Sequence, residues 1–440
     1  NPNNISGYAS AKFMLQDTLT KKLKETKPDL VGFGGLCTDY TFLRDAINIT
    51  RAVDPKIPIV LGGQIVTNDA EFIYQDLKPD YAVIGEGEYV LAGLADDLTK
   101  GPVAPGVLKG QPPNLDELPF PDYEPFGVKD MLDNHSHDTR LLYRYSRPDA
   151  RPFNIVASRG CPFTCTFCIH GHRDAPYRAR TIPNIMAEIK ENYERYKFNI
   201  LIILDELFVV KNERFEDFCN GVLEGKRQYG WDFDWMFQTH ASAKLTLNAL
   251  KLAKKAGCFF FSYGLESASP VVLKSMNKKI EVHQVIGAMQ LAREAKVGFG
   301  ANLIFGDPAE TEETWAESLS FWLKHGQDNF TFLATLMPYP GSAVFEGCHI
   351  PDKRKYYEHI DEAPINMTTI PSKTFQDLLN LTNYLEKAWL LVKPARQVYV
   401  QANGLVNHIT FTCPYCGQQS VYREQIPAGK PYMLGAGCQK

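Results

Sequence analysis

The sequence predicts an α/β protein: an amino-terminal doubly wound domain, then a partial (β/α)6 barrel, then a small cysteine-bearing carboxyl-terminal element. Two observations carry this prediction. Strand-like apolar runs alternate with helical segments in two separate stretches, and a Pro- and Gly-containing stretch without periodicity lies between them. With 440 residues, the chain is long enough for two or three domains. We therefore expect domains at 1–100, 151–345 and 346–440, and a linker at 101–150.

Composition and charge exclude several classes of partner. The 47 basic and 51 acidic side chains provide no broad basic field for a nucleic acid. The longest apolar run, 198–210, is interrupted by Asp205 and Glu206, so no transmembrane segment is expected. The ten cysteines are clustered, which favours metal ligation over disulfides and predicts a reducing, cytoplasmic compartment. Because the chain begins at Asn1 without a methionine, we expect a segment of a longer polypeptide.

The amino-terminal domain carries three strand-like runs that lead into glycines. These runs are 30–34, 57–61 and 81–84, and a helical stretch lies near 41–53. Strands that alternate with helices in this way indicate a parallel sheet. Because ligands of such sheets bind at the carboxyl ends of the strands, we expect a binding site among the glycine-containing turns.

The same alternation restarts after residue 150. A helix is expected to begin after Thr181, which can cap it, with Pro183 in its first turn and an apolar stripe that faces the core. After Pro340 the alternation stops, and 373–393 is predicted to be one amphipathic helix. The six barrel strands are expected at 153–158, 199–204, 233–238, 258–264, 298–304 and 329–336.

Three cysteines form the strongest motif of the chain. Cys161, Cys165 and Cys168 are spaced by four and three residues, which places three thiolates in one compact loop. Three protein thiolates on a four-iron cluster leave one iron open for a small molecule. The alternative is zinc, with His170 or His172 as the fourth ligand, although zinc loops usually present paired Cys-x-x-Cys units.

This cysteine spacing, after the first strand of a predicted barrel, resembles the motif of the radical S-adenosylmethionine (SAM) superfamily. The resemblance implies that the three cysteines hold a 4Fe-4S cluster and that Phe167 packs beside the adenine of SAM. In that family the open iron chelates SAM, and one-electron reduction cleaves SAM to a 5′-deoxyadenosyl radical. The resemblance also implies an electron donor such as flavodoxin or ferredoxin.

Later strand ends extend the resemblance. Asp205 and Glu206 take the position that meets the methionyl amino group, although the family's Gly-Gly-Glu is absent. Their alternative role is as a pair of helix N-terminal carboxylates. Glu266 and Ser267 resemble the family's ribose-contacting Gly-Ile-Glu-Ser, and helix capping is the alternative for Ser267. Along the fifth strand and its turn, the expected SAM contacts are Leu303 and Gly306.

The amino-terminal domain resembles the cobalamin-binding domain of cobalamin-dependent radical SAM enzymes. Besides its glycine turns, Leu-Pro-Phe-Pro-Asp-Tyr at 118–123 and Met-Pro-Tyr-Pro-Gly-Ser at 337–342 match that group. The sequence lacks the Asp-x-His-x-x-Gly segment that supplies an imidazole to cobalt in other cobalamin proteins. A degenerate α/β cap that binds no cofactor is the alternative. The expected cobalamin contacts are Gly62, Gly63, Gln64, Gly85, Glu86 and Gly87.

The carboxyl-terminal tail contains a second group of metal-ligating residues. His408, Cys413, Cys416 and Cys438 can hold zinc, with Cys-Pro-Tyr-Cys-Gly as the tight half of a ribbon. The alternatives are two surface thiols with a coincidental third, or an auxiliary iron–sulfur cluster.

The two resemblances together imply a radical SAM enzyme that transfers a methyl group from cobalamin to an unactivated carbon. Cobalamin-dependent ring closure or rearrangement is one alternative, and a non-catalytic iron–sulfur sensor or scaffold protein is another. The residues do not name the substrate, which we expect to be a small molecule or natural product.

Overall fold

The computed structural model describes two compact units. The first comprises Asn1–Glu117, Phe163–Ala175 and Leu336–Ile365, and the second comprises Leu118–Pro162, Pro176–Thr335 and Asn366–Lys440. None of the described helices is long and apolar enough to cross a membrane. The described residues are 2–134, 147, 150–170, 176–243, 245–326, 330–360, 362, 364–389, 398–403, 406–412 and 419–424.

Unit one is built on a parallel sheet whose four strands pair in chain order. The strands are β1 (Val31–Gly34), β2 (Ile59–Gly62), β3 (Tyr81–Ile84) and β4 (Gly106–Lys109). The helices are α1 (Pro2–Thr26), α2 (Tyr40–Val53), α3 (Gln64–Leu77) and α4 (Glu88–Lys100).

Helices cover both faces of this sheet. Leu61 belongs to a buried cluster with residues of α2 and α3. Its neighbour Val60 belongs to a different cluster that contains Val83 and Leu94 of α4. Successive residues of a strand point to opposite faces, so the sheet separates these two cores. The predicted parallel α/β domain with helices on both sides is therefore confirmed.

The expectation of an irregular linker at 101–150 needs correction. Within that range, β4 pairs with β3 in parallel and extends the first sheet, and α5 spans Val128–Asn134. This strand, Gly-Val-Leu-Lys, has only two apolar residues, so no apolar run marks it in the sequence. Backbone pairing with a neighbouring strand, which depends on the fold, decides that it forms.

Unit two contains a six-stranded parallel sheet in the order β12-β11-β10-β9-β8-β5. Its strands are β5 (Pro152–Ile155), β8 (Ile200–Ile203), β9 (Asp234–Thr239), β10 (Cys258–Glu266), β11 (Gly298–Phe305) and β12 (Phe330–Thr335). All six overlap the predicted strands, and among the described strands β5 and β12 do not pair with each other. The partial (β/α)6 barrel is confirmed. A two-residue ladder joins β6 (Ser158–Arg159) to β7 (Arg178–Ala179).

The helices of unit two alternate with these strands and bury one face each. α6 begins where the sequence predicts, because the Thr181 side chain accepts a hydrogen bond from the Asn184 amide. Its predicted stripe packs in the main core, with Ile189 and Tyr196 buried. Each fully buried large side chain of such a core contributes about 1.5–3 kcal/mol. The helices are α6 (Ile182–Tyr196), α7 (Asn212–Tyr229), α8 (Leu247–Lys255), α9 (Pro270–Ser275), α10 (Val282–Ala295) and α11 (Glu312–His325).

The structure divides the chain after β12 at other residues than the predicted domain boundary at 345. Residues 336–365, which carry α12 (Ala343–Glu346) and α13 (Lys353–Glu358), belong to unit one. There Tyr357 of α13 is buried, with its ring 5.2 Å from that of Tyr40 and stacked on Phe72 at 5.4 Å.

The remaining carboxyl-terminal elements belong to unit two. The predicted helix at 373–393 is confirmed as α14 (Ser372–Trp389), and Thr382 accepts a hydrogen bond from the Trp315 indole at 3.0 Å. Three antiparallel strands follow, β13 (Val398–Asn403), β14 (Val406–Thr412) and β15 (Gln419–Glu424).

Candidate functional site

Asp205 lies just beyond the end of β8 and is only 3% exposed. Its carboxylate accepts hydrogen bonds from the Ala157 amide at 2.7 Å and the Ser158 hydroxyl at 2.6 Å. Burial raises the pKa of Asp205 to about 6, against the opposing effect of these hydrogen bonds. The structure therefore commits Asp205 to holding the chain ahead of the cysteine loop. Glu206, the next residue, is half-buried and is the better candidate for a ligand contact.

Glu266 ends β10 and combines three unusual features. Its side chain is 7% exposed, its backbone has φ +67°, and the pairing of β10 with β11 shifts register between Gly264 and Glu266. The Lys278 ammonium donates a hydrogen bond to Glu266 Oε1 at 2.8 Å, so the buried charge is paired. Glu266 could be predicted because it lies in a motif. Lys278 could not, because it lies twelve residues after Glu266, across a turn, and belongs to no motif.

Ser267 lies beside Glu266 but is bonded within the protein. Its hydroxyl is 3.1 Å from the Ser318 hydroxyl and accepts a hydrogen bond from the Ser269 amide at 3.1 Å. These contacts place Ser267 in the turn before α9, and the N-cap of α9 is Ser269, so the alternative of helix capping by Ser267 is wrong. Ser267 therefore supports Glu266 by fixing the turn.

The end of β11 places Leu303 in the core and a turn at Gly306. Leu303 has no exposed surface, in its side chain or its backbone, so the structure does not support the expected SAM contact at this residue. Gly306 has φ +105°, and its amide donates to Glu310 Oε2 at 2.6 Å. Burial raises the pKa of Glu310 to about 7 and also raises that of Asp307. The burial of these two carboxyl groups was not predicted. The signal for it is the sequence Gly306-Asp307-Pro308-Ala309-Glu310, in which two acidic residues flank a turn-forming proline.

Of the three motif cysteines, Cys165 is buried, and Cys161 and Cys168 are half-buried. The Cys168 amide donates to the Cys165 carbonyl at 3.1 Å, which forms a tight turn between those two thiols. The His170 amide donates to Cys168 Sγ at 3.4 Å, a contact that favours a thiolate. Phe167 is half-buried in this turn.

This donor set fits a 4Fe-4S cluster by its chemistry. Within the described ranges, no three Cys, His, Asp or Glu side chains are already gathered as around a metal ion. The fit therefore rests on three cysteine side chains in one short loop and on the amide directed at Cys168. A two-residue ladder, in which Arg159 pairs with Arg178, flanks the loop at both ends.

Glycines at the strand ends of unit one form the second candidate site. Gly63 has φ +85°, and a Cβ there would lie 2.7 Å from the Gly35 amide nitrogen, so only glycine fits. The Gly85 amide donates to the Thr67 hydroxyl at 3.0 Å. Glycine at position 63 is thus required by the packing of the two turns on each other, whereas the exposed backbone at Gly63 and Gly85 leaves these strand ends open to a bulky ligand such as cobalamin. Glu86 and Gly87 follow in the same turn, and both are half-buried.

Gln64 joins the glycine turns to the cysteine loop within unit one. Its Nε2 lies 3.4 Å from His170 Nδ1, two residues beyond Cys168. In the same unit, the Val344 amide of α12 donates to the Thr166 carbonyl at 3.0 Å. The loop is thus tied both to the strand ends and to the segment that follows the barrel.

The predicted zinc site of the tail cannot be assembled from the described residues. His408 lies in β14, whereas Cys413, Cys416 and Cys438 lie outside the described residues. Zinc in the tail stays a prediction. Among the cysteines outside these two groups, Cys37, Cys219 and Cys258 are buried and Cys348 is half-buried.

Two family models match the chain. The Radical SAM superfamily matches residues 155–321, and the B12 binding domain matches residues 5–95. The first range contains the cysteine loop and most of the barrel, and the second contains β1, β2 and β3 with their glycine turns.

Curated relatives cover about three quarters of the chain. An uncharacterized methyltransferase of Pyrococcus horikoshii is 28% identical over 349 residues, which are 74% of this chain and 71% of the relative. An anaerobic magnesium-protoporphyrin IX monomethyl ester cyclase of Rubrivivax gelatinosus is 28% identical over 347 residues, or 75% of this chain and 60% of the relative. The chain thus spans less than two thirds of the cyclase.

Solved structures share the fold. The radical SAM methyltransferase TsrM of Kitasatospora setae, with cobalamin and a 4Fe-4S cluster bound, aligns with a TM-score of 0.56 and 18% identity, covering 74% of this chain and 65% of that one. The cobalamin-dependent SAM radical enzyme OxsB, with aqua-cobalamin and SAM bound, aligns with the same TM-score and 18% identity, covering 84% of this chain and 55% of that one.

Proposed function

Because the chain belongs to the cobalamin-dependent radical SAM enzymes, we propose that it transfers a methyl group from cobalamin to an unactivated carbon of a small-molecule substrate. The observation that carries this proposal is the arrangement of unit one. Its glycine turns meet the part of the cysteine loop that it contains, beginning at Phe163, through Gln64 and His170 at 3.4 Å. Radical generation and methyl donation need neighbouring sites, and this contact supports a cobalamin site next to the cluster-binding loop.

The cofactors supply the difficult chemistry: when bound, the cluster and SAM generate a 5′-deoxyadenosyl radical, and cobalamin carries the methyl group. In the proposal, Cys161, Cys165 and Cys168 hold the cluster. Glu206 and Glu266 would face the polar groups of SAM, and the proposed adenine contacts are Phe167 and Gly306. The proposed cobalamin contacts are Gly62, Gly63, Gln64, Gly85, Glu86 and Gly87.

The protein's own contribution is to fix these groups before the ligands arrive. Asp205 holds the Ala157 amide and the Ser158 hydroxyl, which precede Cys161. Glu310 holds the Gly306 amide and keeps the turn after β11 in one conformation. Such fixed groups need little reorganisation on binding, which strengthens their interactions with ligands.

Radical ring closure is a second candidate, because the relative from Rubrivivax is named a cyclase and is 28% identical to this chain. The two reactions differ in their products. Methyl transfer adds one methyl group to the substrate and consumes methylcobalamin, whereas ring closure adds no carbon. A cytoplasmic setting and an electron donor of the flavodoxin or ferredoxin type complete the proposal.

The test is anaerobic reconstitution with iron and sulfide, followed by reduction with SAM and measurement of 5′-deoxyadenosine and bound cobalamin. Cys165→Ala should lose both the cluster absorbance and the nucleoside. Cys348→Ala, which removes a half-buried thiol outside the motif, is the matched control and should retain both. Nucleoside formation that persists in Cys165→Ala would contradict a radical SAM activity and favour a structural cluster.

A further inference from the structure

Glu266 is held in a conformation that its own backbone disfavours. A left-handed φ of +67° is uncommon for a residue with a side chain, and it persists only where surrounding contacts enforce it. The register shift between Gly264 and Glu266 marks an irregularity of β10 at the same point. Irregularities of this kind commonly redirect a side chain at a functional site.

Lys278 provides the enforcing contact. Its ammonium lies 2.8 Å from Glu266 Oε1, and both side chains are 7% exposed. The turn that carries Lys278 is itself irregular, because Asn277 and Lys279 on either side have φ of +51° and +54°. The Lys278 amide donates to the Leu273 carbonyl at 3.0 Å, which fixes the turn on α9.

Gly264 provides the space for this ion pair. A Cβ at Gly264 would lie 2.1 Å from Glu266 Oε1 and 2.7 Å from Lys278 Nζ. Neither distance is compatible with atoms of van der Waals size, so a side chain at Gly264 would displace the pair. The irregular strand end, the glycine and the lysine therefore form one arrangement around Oε1 of Glu266.

The second carboxylate oxygen, Oε2, is buried and has no hydrogen-bond partner among the described residues. A buried acceptor without a partner is costly, and such groups in native proteins usually have a functional reason. We propose that Lys278 is a positioning residue that holds Glu266 through Oε1 and leaves Oε2 to accept hydrogen bonds from the ribose hydroxyls of SAM. This inference rests on the proposed function.

The experiment measures the dissociation constant of SAM by anaerobic equilibrium dialysis on cluster-loaded protein. Lys278→Met keeps the length of the side chain and removes its charge, and should weaken SAM binding about tenfold. Lys279→Met is the matched control, since Lys279 is the adjacent lysine, also has a left-handed φ, and is exposed. It should bind SAM as the wild type does. Lys278→Arg should restore most of the affinity.

A double-mutant cycle separates positioning from general stability. If Lys278 acts through Glu266, then adding Lys278→Met to Glu266→Gln should cause no further loss of affinity. The double variant removes both charges, so it remains informative if the uncompensated carboxylate prevents Lys278→Met from folding. Independent, additive losses, or wild-type affinity in Lys278→Met, would overturn the inference. Failure of the cluster-loaded wild type to bind SAM would instead overturn the proposed function.

Discussion

Replacing Asp205 with Asn should change how the stability of unit two depends on pH. Asp205 is buried, and burial raises its pKa from 3.8 to about 6. The folded chain therefore binds this proton more tightly than the unfolded chain does. The resulting stabilisation is fully present below pH 3.8 and is lost as the pH rises through about 6. Asn cannot ionise, and its carbonyl can still accept the hydrogen bond from the Ala157 amide.

The magnitude follows from the size of the shift. A difference of about two pKa units corresponds to roughly 3 kcal/mol of unfolding free energy between the protonated and ionised forms. About half of this, roughly 1.5 kcal/mol, should be lost between pH 5 and pH 8, because Asp205 in the unfolded chain is already mostly ionised at pH 5. The stability of Asp205→Asn relative to the wild type should therefore increase by that amount over this range.

Tryptophan fluorescence during urea unfolding is a suitable assay. All five tryptophans lie in the segments assigned to unit two, so the signal reports the unit that contains Asp205. Other titrating groups are common to both proteins and cancel in the comparison. Asp217→Asn, the same substitution at an exposed position of α7, reports the effect of net charge alone. A difference between wild type and Asp205→Asn that stays constant from pH 5 to pH 8 would refute the reasoning.

Two further predictions concern a glycine turn and a helix cap. Gly63→Ala places a Cβ 2.7 Å from the Gly35 nitrogen at φ +85°, so cobalamin bound per chain, read from its visible absorbance, should fall while the tryptophan unfolding midpoint stays unchanged. Equal cobalamin content would contradict the assigned site. Thr181→Ala removes the side-chain cap of α6 and should lower the unfolding free energy of unit two by about 1 kcal/mol, whereas Thr181→Ser should retain it.

Local patterns explain why much of the barrel could be predicted. Its strands are apolar runs separated by helices with clear caps, and these signals do not depend on distant residues. Thr181 is an example, since its capping bond reaches only three residues along the chain. β4 shows the opposite case, because its two apolar residues form no apolar run and its strand is recognised only from its pairing with β3.

The same distinction between local and distant residues applies to the candidate site. The cysteine spacing and the motif at Glu266 could be read directly, because each lies within a few consecutive residues. Asp205 was interpreted as a ligand contact, yet its partners Ala157 and Ser158 lie nearly fifty residues earlier. Lys278 was not singled out, since nothing in its neighbours indicates a buried ion pair.

The sequence by itself predicted the six barrel strands, the cysteine motif and the glycine turns, because these depend on residue type and short spacing. Only the tertiary structure decided which carboxylates are committed to the protein and which retain an oxygen for a ligand. It also decided that residues 336–365 belong to the unit that contains the amino-terminal sheet, where Tyr357 is buried against Tyr40 and Phe72. The physical reason is that burial and pairing of polar groups are set by residues that folding brings together from distant parts of the chain.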